Sequence, residues 1–350
     1  MVNFLKQKVL VGMSGGVDSS VCAALLKNDG YEVLGITLDL FGDTSDSQRD
    51  AKSVCDNLGI EHIVSDLKNE FKSFVIDDFI NEYINGRTPN PCIVCNRTIK
   101  FGEMLKLADK FGCDKIATGH YAKIVEKGGR FLLCRGEDKS KDQSYVLYCL
   151  TQEQLSRVVF PLASHSKDEV RATAEGLNLV NANKKDSQDI CFVPDGDYAA
   201  FIEKTADFVS QMGDYLDISG KVLGQHKGVI RYTIGQRKGL GIALGKPAFV
   251  IDKNPETNSV IIGDEAHLFY KKVYVENLNF IPFDELNGEM NVFCKLRYRH
   301  TEQPATIRPY KNGVLVEFTA PQRAPSPGQA AVFYDDDIVV GGGTIVCGIE

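Results

Sequence analysis

No stretch of the 350 residues approaches the roughly 20 consecutive apolar positions that a membrane span needs. Low-complexity tracts and internal repeats are missing as well. Hydrophobic residues make up 43% and charged residues 25%, which is ordinary globular usage and excludes extended disorder. Positive charge is not in excess. A formal net charge of -7 argues against indiscriminate binding to nucleic acid, while leaving room for a local basic face where phosphate contacts would need Lys and Arg. The opening MVNFLKQKVLVGMSGG sets two lysines before an apolar run, yet the run is short, a glycine turn interrupts it and no small-residue cleavage site follows. A cytoplasmic protein is therefore expected. The ten cysteines are scattered through a long chain, which suits buried thiols and a few catalytic or metal-binding ones rather than a disulfide framework.

The length suits two or three domains. Through the first third, short apolar strands (KVLVG, EVLGITL, HIVSD) alternate with helical patterns over 17–28 and 47–58, and a further strand, DKIATGH, follows a helix over 98–111. This alternation predicts an α/β doubly wound parallel sheet. Ligands of such sheets collect at the carboxyl ends of the strands, so 12–19 and Gly119-His120 are expected to share a site. A capping pattern, Ser166 to Glu169, opens a helix that reaches Gly176, and another helix starts at Tyr198. Beyond Asp207, glycine-rich turns separate short β-branched strands. The expected organisation is a nucleotide-binding catalytic domain over 1–206, a small β-rich central domain over 207–273 and a C-terminal β-barrel over 274–350.

The most specific motif is VLVGMSGGVDSS, a strand that turns through Ser-Gly-Gly straight into a helix. Gly15 and Gly16 allow a tight turn and close approach to a ligand, while Ser14, Ser19 and the free amides of the helix start can donate to phosphate oxygens. The pattern is neither a Walker loop nor the GxGxxG fingerprint. A plain glycine turn with a serine cap explains each residue singly, but not their order after a buried strand. The motif resembles the SGGxDS pyrophosphate loop of the PP-loop ATPases, which cleave ATP between the α and β phosphates. That resemblance implies ATP and Mg²⁺ as ligands, with Gly12, Met13, Ser14, Gly15, Gly16, Val17, Asp18 and Ser19 around the nucleotide. Asp18 would organise the metal and the leaving pyrophosphate, Leu38 would line the adenine pocket and Gly119 would touch the nucleotide.

PP-loop enzymes amidate, lysylate or thiolate, and two further blocks bear on the choice: GRTPNPCIVCNRTIKFG at 86–102 and KKDSQDICFVPDGDY at 184–198. With KDQSYVLY and YTIGQRKGLG they resemble the bacterial tRNA-specific 2-thiouridylases over nearly the whole chain. The chemistry explains why two thiols are wanted. Adenylation of a uridine O2 makes AMP the leaving group, and sulfur must then arrive nucleophilic yet detachable. A persulfide meets this need, because a second thiolate attacks its inner sulfur, leaves a disulfide and releases the terminal sulfur. The resemblance implies that Cys191 carries the persulfide and Cys95 is its partner. Lys184 and Lys185 would depress the Cys191 thiol. Cys22, Cys55, Cys113, Cys134, Cys149, Cys294 and Cys347 read as buried small hydrophobes. Where the family commonly has NPDxxCN, this chain has Asn90-Pro91-Cys92-Ile93-Val94-Cys95-Asn96. The carboxylate that would serve proton transfer is replaced, and a CxxC appears. An iron-sulfur cluster on Cys92, Cys95 and Cys191 is the alternative sulfur carrier.

Lys227, Arg231, Arg237 and Lys238 crowd 225–241 without an acid, and Lys295, Arg297, Arg299, Arg308 and Lys311 crowd 291–312, with Tyr232, Tyr298 and Tyr310 interleaved. Such strands suit phosphate contacts and base stacking, or form a solvated basic face. The resemblance adds Asn90, Pro91, Cys92, Lys141, Asp142, Gln143, Arg297 and Tyr298 as tRNA contacts. It also implies the lysine, glutamate and glutamine tRNAs as substrates, and a cysteine desulfurase or sulfur-relay protein as donor. A PP-loop amide or C–N ligase acting on a small molecule leaves the cysteine blocks idle, and a bare RNA-binding module leaves the ATP loop idle.

Overall fold

Val9, Leu10 and Val11 are wholly buried, as expected of a strand covered on both faces. They lie in β1 (Lys8–Gly12), the middle of a parallel sheet in a computed structural model that describes residues 6–42, 45–182, 184, 189–193, 195–242 and 245–350. β1 pairs with β2 (Glu32–Asp39), Leu10 facing Leu34, and β2 pairs with β3 (Glu61–Asp66). On its other side β1 pairs with β4 (Lys115–Ala117), Leu10 facing Ile116. After the hairpin β5 (Ala122–Lys127) and β6 (Arg130–Arg135), β7 (Val158–Val159) completes the order β3-β2-β1-β4-β7. The order of strands reverses across the sheet between β1 and β4, the switch point at whose carboxyl ends sheets of this kind take their ligands. Helix α1 (Val17–Asn28) buries Val17, Val21 and Leu26 in the same core as Val170 and Ala174 of the helix Lys167–Gly176. Helix α2 (Ser45–Leu58) adds Ala51, Val54 and Cys55.

These elements belong to one of two units, made of residues up to 75, 92–188 and 336–340. Two local features differ from the sequence expectation. The helix expected over 98–111 starts earlier, as Pro91–Cys95, and passes through a π-helical stretch, Asn96–Glu103, into Met104–Lys110. Proline suits the first helical position, which needs no N–H donor, and that signal was present in the sequence. The β5–β6 hairpin was not expected either. Lys127 pairs with Arg130 around Gly128 and Gly129, both at positive φ (61° and 78°), as a two-residue primed turn requires.

The other unit comprises residues 76–91, 189–335 and 341–350. One four-stranded sheet, β10-β11-β8-β9, is built from β8 (Gly213–Leu216), β9 (Val222–His226), β10 (Phe249–Asn254) and β11 (Ser259–Gly263). Six strands follow: β12 (Phe269–Phe280), β13 (Met290–Lys295), β14 (Gln303–Tyr310), β15 (Gly313–Arg323), β16 (Ala330–Asp335) and β17 (Ile338–Ile349). They run β12-β15-β14-β13-β16-β17, and β12 pairs back to β17, Lys272 facing Ile349. These six strands close into a barrel, and the sheet runs on from β17 to the hairpin strands β6 and β5. The α/β sheet, the central β-rich module and the terminal barrel are those expected from the sequence.

Candidate active site: the nucleotide loop and the cysteines

The loop after β1 is held from behind. Gly15 stands at φ +70°, and a Cβ there would fall 2.5 Å from the Ser47 carbonyl oxygen. The Gly15 carbonyl accepts from Asn181 Nδ2 at 3.1 Å and from Lys184 Nζ at 3.3 Å. A trans peptide points its N–H opposite to its C=O, so the Gly16 N–H faces away from these donors, toward Ser14 Oγ at 3.4 Å. Ser19 and Ser20 each donate to the Gly16 carbonyl, at 3.0 and 2.9 Å, and Ser14 Oγ lies 3.2 Å from Ser19 Oγ. Met13 and Val17 are buried, and the Met13 N–H is taken by the Ile36 carbonyl at 2.7 Å. Their side chains therefore serve the core. Leu38 is half-buried where β2 ends.

Asp18 lies in the first turn of α1, accepts from the Tyr121 hydroxyl at 2.8 Å and pairs with Lys167 Nζ at 2.7 and 2.9 Å. A Cβ on Gly119 would fall 2.7 Å from the Asp18 carbonyl carbon, so glycine there lets the segment after β4 run directly against the first turn of α1. His120 is buried beside Thr118, its Nδ1 2.7 Å from the hydroxyl, and burial pushes its pKa well down. The turn 141–143 is tied to the same cluster: Gln143 N–H donates to the Tyr121 carbonyl at 2.9 Å, and Tyr121 N–H donates to Gln143 Oε1 at 3.0 Å. Asp142 accepts from the Ser144 hydroxyl at 2.8 Å. Lys167, Tyr121 and Asn181 were not singled out from sequence. One signal was there, because a lysine at the first position of a capped helix opposes the helix dipole and calls for a partner.

Cys95 is 8% exposed, Cys92 is exposed on the same short helix, and all ten cysteines are free thiols. π-helical turns concentrate at functional sites, and one begins immediately after Cys95. Its first residue, Asn96, is buried, donates to the Val146 carbonyl at 3.0 Å and leaves Oδ1 without a hydrogen-bond partner among the described residues. Cys149 donates to the Ile93 carbonyl at 3.5 Å, and burial pushes its thiol up to about 12. Cys191 is exposed in the other unit. The next residue, Phe192, is buried edge-on against Phe79 and tilted against Phe201, each at 5.3 Å between centroids.

Lys184 pairs with Asp50 at 2.9 Å and donates to the Gly15 carbonyl, and Lys185 lies outside the described residues. Two expectations about buried thiols need correction. Cys134 is only half-buried and Cys347 is exposed, whereas the other five thiols expected in the core are buried.

The donor sets decide which ions fit. One carboxylate beside a phosphate cradle suits Mg²⁺, which takes one or two carboxylates and completes its shell with phosphates and water. Among the described residues no three His, Cys, Asp or Glu side chains gather as a metal would need, and Cys191 lies in a different unit from Cys92 and Cys95. The described residues also include no helix long and apolar enough to cross a membrane.

The basic stretches divide in two. Arg231 donates from Nη2 to both carboxylate oxygens of Glu203, each at 2.7 Å, and Arg308 pairs with Glu289 and Glu317. Arg297 donates to the Ala324 carbonyl at 3.0 Å and Ser326 Oγ at 2.7 Å. Tyr232 is buried against Tyr215 and His226 and presents no face for stacking. Lys227, Arg237, Lys238, Tyr298 and Arg299 are exposed.

A parallel sheet with this loop at its switch point defines a PP-loop nucleotide-binding protein. Family models agree on the layout: a tRNA methyl transferase HUP domain matches residues 7–195, the PRC-barrel domain of the same family 200–264 and an aminomethyltransferase β-barrel domain 270–345. A tRNA-specific 2-thiouridylase MnmA 2 of Clostridium botulinum is 49% identical over 96% of this chain and 98% of its own. A relative named MnmA 1 from a Thermoanaerobacter species is 50% identical over 97% of each chain. The chain belongs to the bacterial tRNA-specific 2-thiouridylase family. Among solved structures, the U34-tRNA thiolase NcsA of Methanococcus maripaludis with its 4Fe-4S cluster is 23% identical over 58% of this chain and 69% of its own. Its TM-score of 0.36 is too low to bear on mechanism.

Proposed function

We propose that this chain catalyses the ATP-dependent 2-thiolation of the wobble uridine in tRNA. Family membership supports the reaction, and the preset orientation of the Gly15–Gly16 peptide in the nucleotide loop is the observation that carries the ATP half. The Gly16 N–H, Ser14 and Ser19 bind phosphate oxygens, and Asp18 holds Mg²⁺, which supplies charge neutralisation when bound. Leu38 and Gly119 border the adenosine. ATP adenylates the uridine O2 and pyrophosphate leaves. Cys191, exposed and anchored through Phe192, accepts sulfur as a persulfide from a cysteine desulfurase or sulfur-relay protein. The Cys95 thiolate attacks the inner sulfur and forms the Cys95–Cys191 disulfide. The expelled hydrosulfide then attacks C2 and displaces AMP, and an external thiol reductant returns two electrons to the disulfide.

The tRNA contacts proposed are Asn90, Pro91 and Cys92, the turn Lys141, Asp142 and Gln143, and Arg297 with Tyr298. The substrates are the lysine, glutamate and glutamine tRNAs, and the reaction takes place in the cytoplasm. The test is ATP–pyrophosphate exchange with purified chain. Exchange that requires tRNA, and that Asp18→Ala abolishes while tRNA binding persists, is expected. Exchange driven by an amino acid or free nucleotide would instead make the protein a small-molecule ligase.

A further inference from the structure

The loop sequence VLVGMSGGVDSS contains no lysine or arginine. Pyrophosphate is nonetheless a highly charged leaving group, and P-loop enzymes place a lysine within the loop itself to meet it. Here a cation comes from a distant part of the chain. Lys167 is 5% exposed, and its ammonium lies within 2.9 Å of both Asp18 carboxylate oxygens and 5.9 Å from the Tyr121 ring centroid. We propose that Lys167 is a phosphate-binding residue of the nucleotide site, the cation that neutralises the pyrophosphate end of ATP beside Asp18. The inference rests on the ATP reading above and adds a residue to it.

Three observations favour this role over simple neutralisation of Asp18. First, Asp18 has other support: it stands in the first turn of α1, where the helix dipole stabilises an anion, it takes the Tyr121 hydroxyl, and its side chain is 31% exposed to water. Burying a lysine beside such a carboxylate costs desolvation and side-chain entropy for little structural return. Second, the lysine backbone is fixed before any ligand arrives. Ser166 and Glu169 form a capping box around it, and its N–H donates to Asp138 Oδ2 at 3.2 Å. The helix end is thus satisfied without the ammonium. Third, Lys184, which also reaches the loop, binds the carbonyl side of the Gly15 peptide, opposite to the direction of the Gly16 N–H.

The test is calorimetric binding of inorganic pyrophosphate to the full chain in metal-free buffer, so that Asp18 acts only as a charge. Asp18→Asn removes a repelling carboxylate and is expected to bind at least as tightly as the unaltered chain. Adding Lys167→Gln to Asp18→Asn is expected to weaken binding about tenfold, roughly what one charge-assisted contact contributes. This neutral pair keeps size and hydrogen bonding and leaves no buried charge unpaired, and retained tRNA binding reports its folding. Equal affinity of Asp18→Asn and the double variant overturns the inference and leaves Lys167 as a partner of Asp18 only. Failure of Asp18→Asn to bind pyrophosphate likewise overturns the inference, while the ATP reading stands or falls separately on ATP–pyrophosphate exchange in the presence of Mg²⁺.

Discussion

Asn181 donates from Nδ2 to the carbonyl of Gly15 at 3.1 Å, across 166 positions of sequence, and takes Ser20 Oγ at 2.9 Å with the same group. It is buried, so the two bonds are shielded from water. They fix the orientation of the Gly15–Gly16 peptide, whose N–H is proposed to meet a phosphate oxygen.

Asn181→Ala is therefore expected to cost about 1 kcal/mol of stability through the two lost hydrogen bonds, since Lys184 still reaches the Gly15 carbonyl. It should also weaken ATP several-fold, because the Gly15–Gly16 peptide is then held by one flexible side chain. Asn181→Asp should be worse, since it sets a carboxylate against a carbonyl oxygen. Melting temperature and calorimetric ATP affinity check both, and ATP affinity unchanged in Asn181→Ala would show that the clamp is not needed.

The basic residues separate binding from architecture. Arg297 is half-buried and donates to a carbonyl and a hydroxyl in the 324–326 segment, so Arg297→Glu is expected to lower the melting temperature before it reports on RNA. Lys238 is exposed. Lys238→Glu should leave melting unchanged, weaken tRNA binding and flatten the log–log salt dependence by about one unit or less. Unchanged affinity and slope would make the 225–241 stretch a solvated face.

Lys253 gives a pH prediction. Its ammonium is buried and donates to the Tyr232 carbonyl at 2.7 Å, and burial lowers its pKa from 10.5 to about 8. Between these values the unfolded chain holds a proton that the folded chain does not, so this group adds stability as pH rises from about 8 to 10.5. At pH 7 it carries the full desolvation cost, on the order of 3 kcal/mol. Lys253→Met is expected to raise the melting temperature at pH 7, with the gain shrinking toward pH 10. A gain that stays constant with pH would assign it to packing alone.

Much of this was legible in the sequence because local rules agree with the fold. The strand β1, the Ser-Gly-Gly turn and α1 follow from apolar runs, glycine and an acidic first turn, and the capping box at Ser166 and Glu169 formed as written. The ties between distant segments were not legible. Nothing near Lys167 or Asn181 announces Asp18 or Gly15 as partners, since those contacts arise only when the sheet brings its strand ends together. The same limit hid the burial of Tyr232 and the internal pairing of Arg231 and Arg308, which composition counts as available charge and aromatic surface.

The cysteines allow an order-of-events test. Cys191 is exposed, as a thiol that meets an external sulfur donor must be, and Cys95 is nearly buried at the start of a π-helical stretch. With Cys191 as carrier and Cys95 as partner, Cys191→Ser is expected to adenylate tRNA but never to take up labelled sulfur. Cys95→Ser should load sulfur onto Cys191 and then stall, because no thiolate remains to cleave the sulfur–sulfur bond. Cys92 is exposed on the Cys95 helix, so Cys92→Asp puts a carboxylate where the commoner family pattern has one, and activity should hold or rise as proton transfer improves. Mass spectrometry of the loaded chains, iron and sulfide analysis after anaerobic purification and a tRNA thiolation assay together read all three. Iron-dependent activity that Cys92→Asp destroys would replace the persulfide route with a metal-borne sulfur and leave the thiolation reaction itself in place.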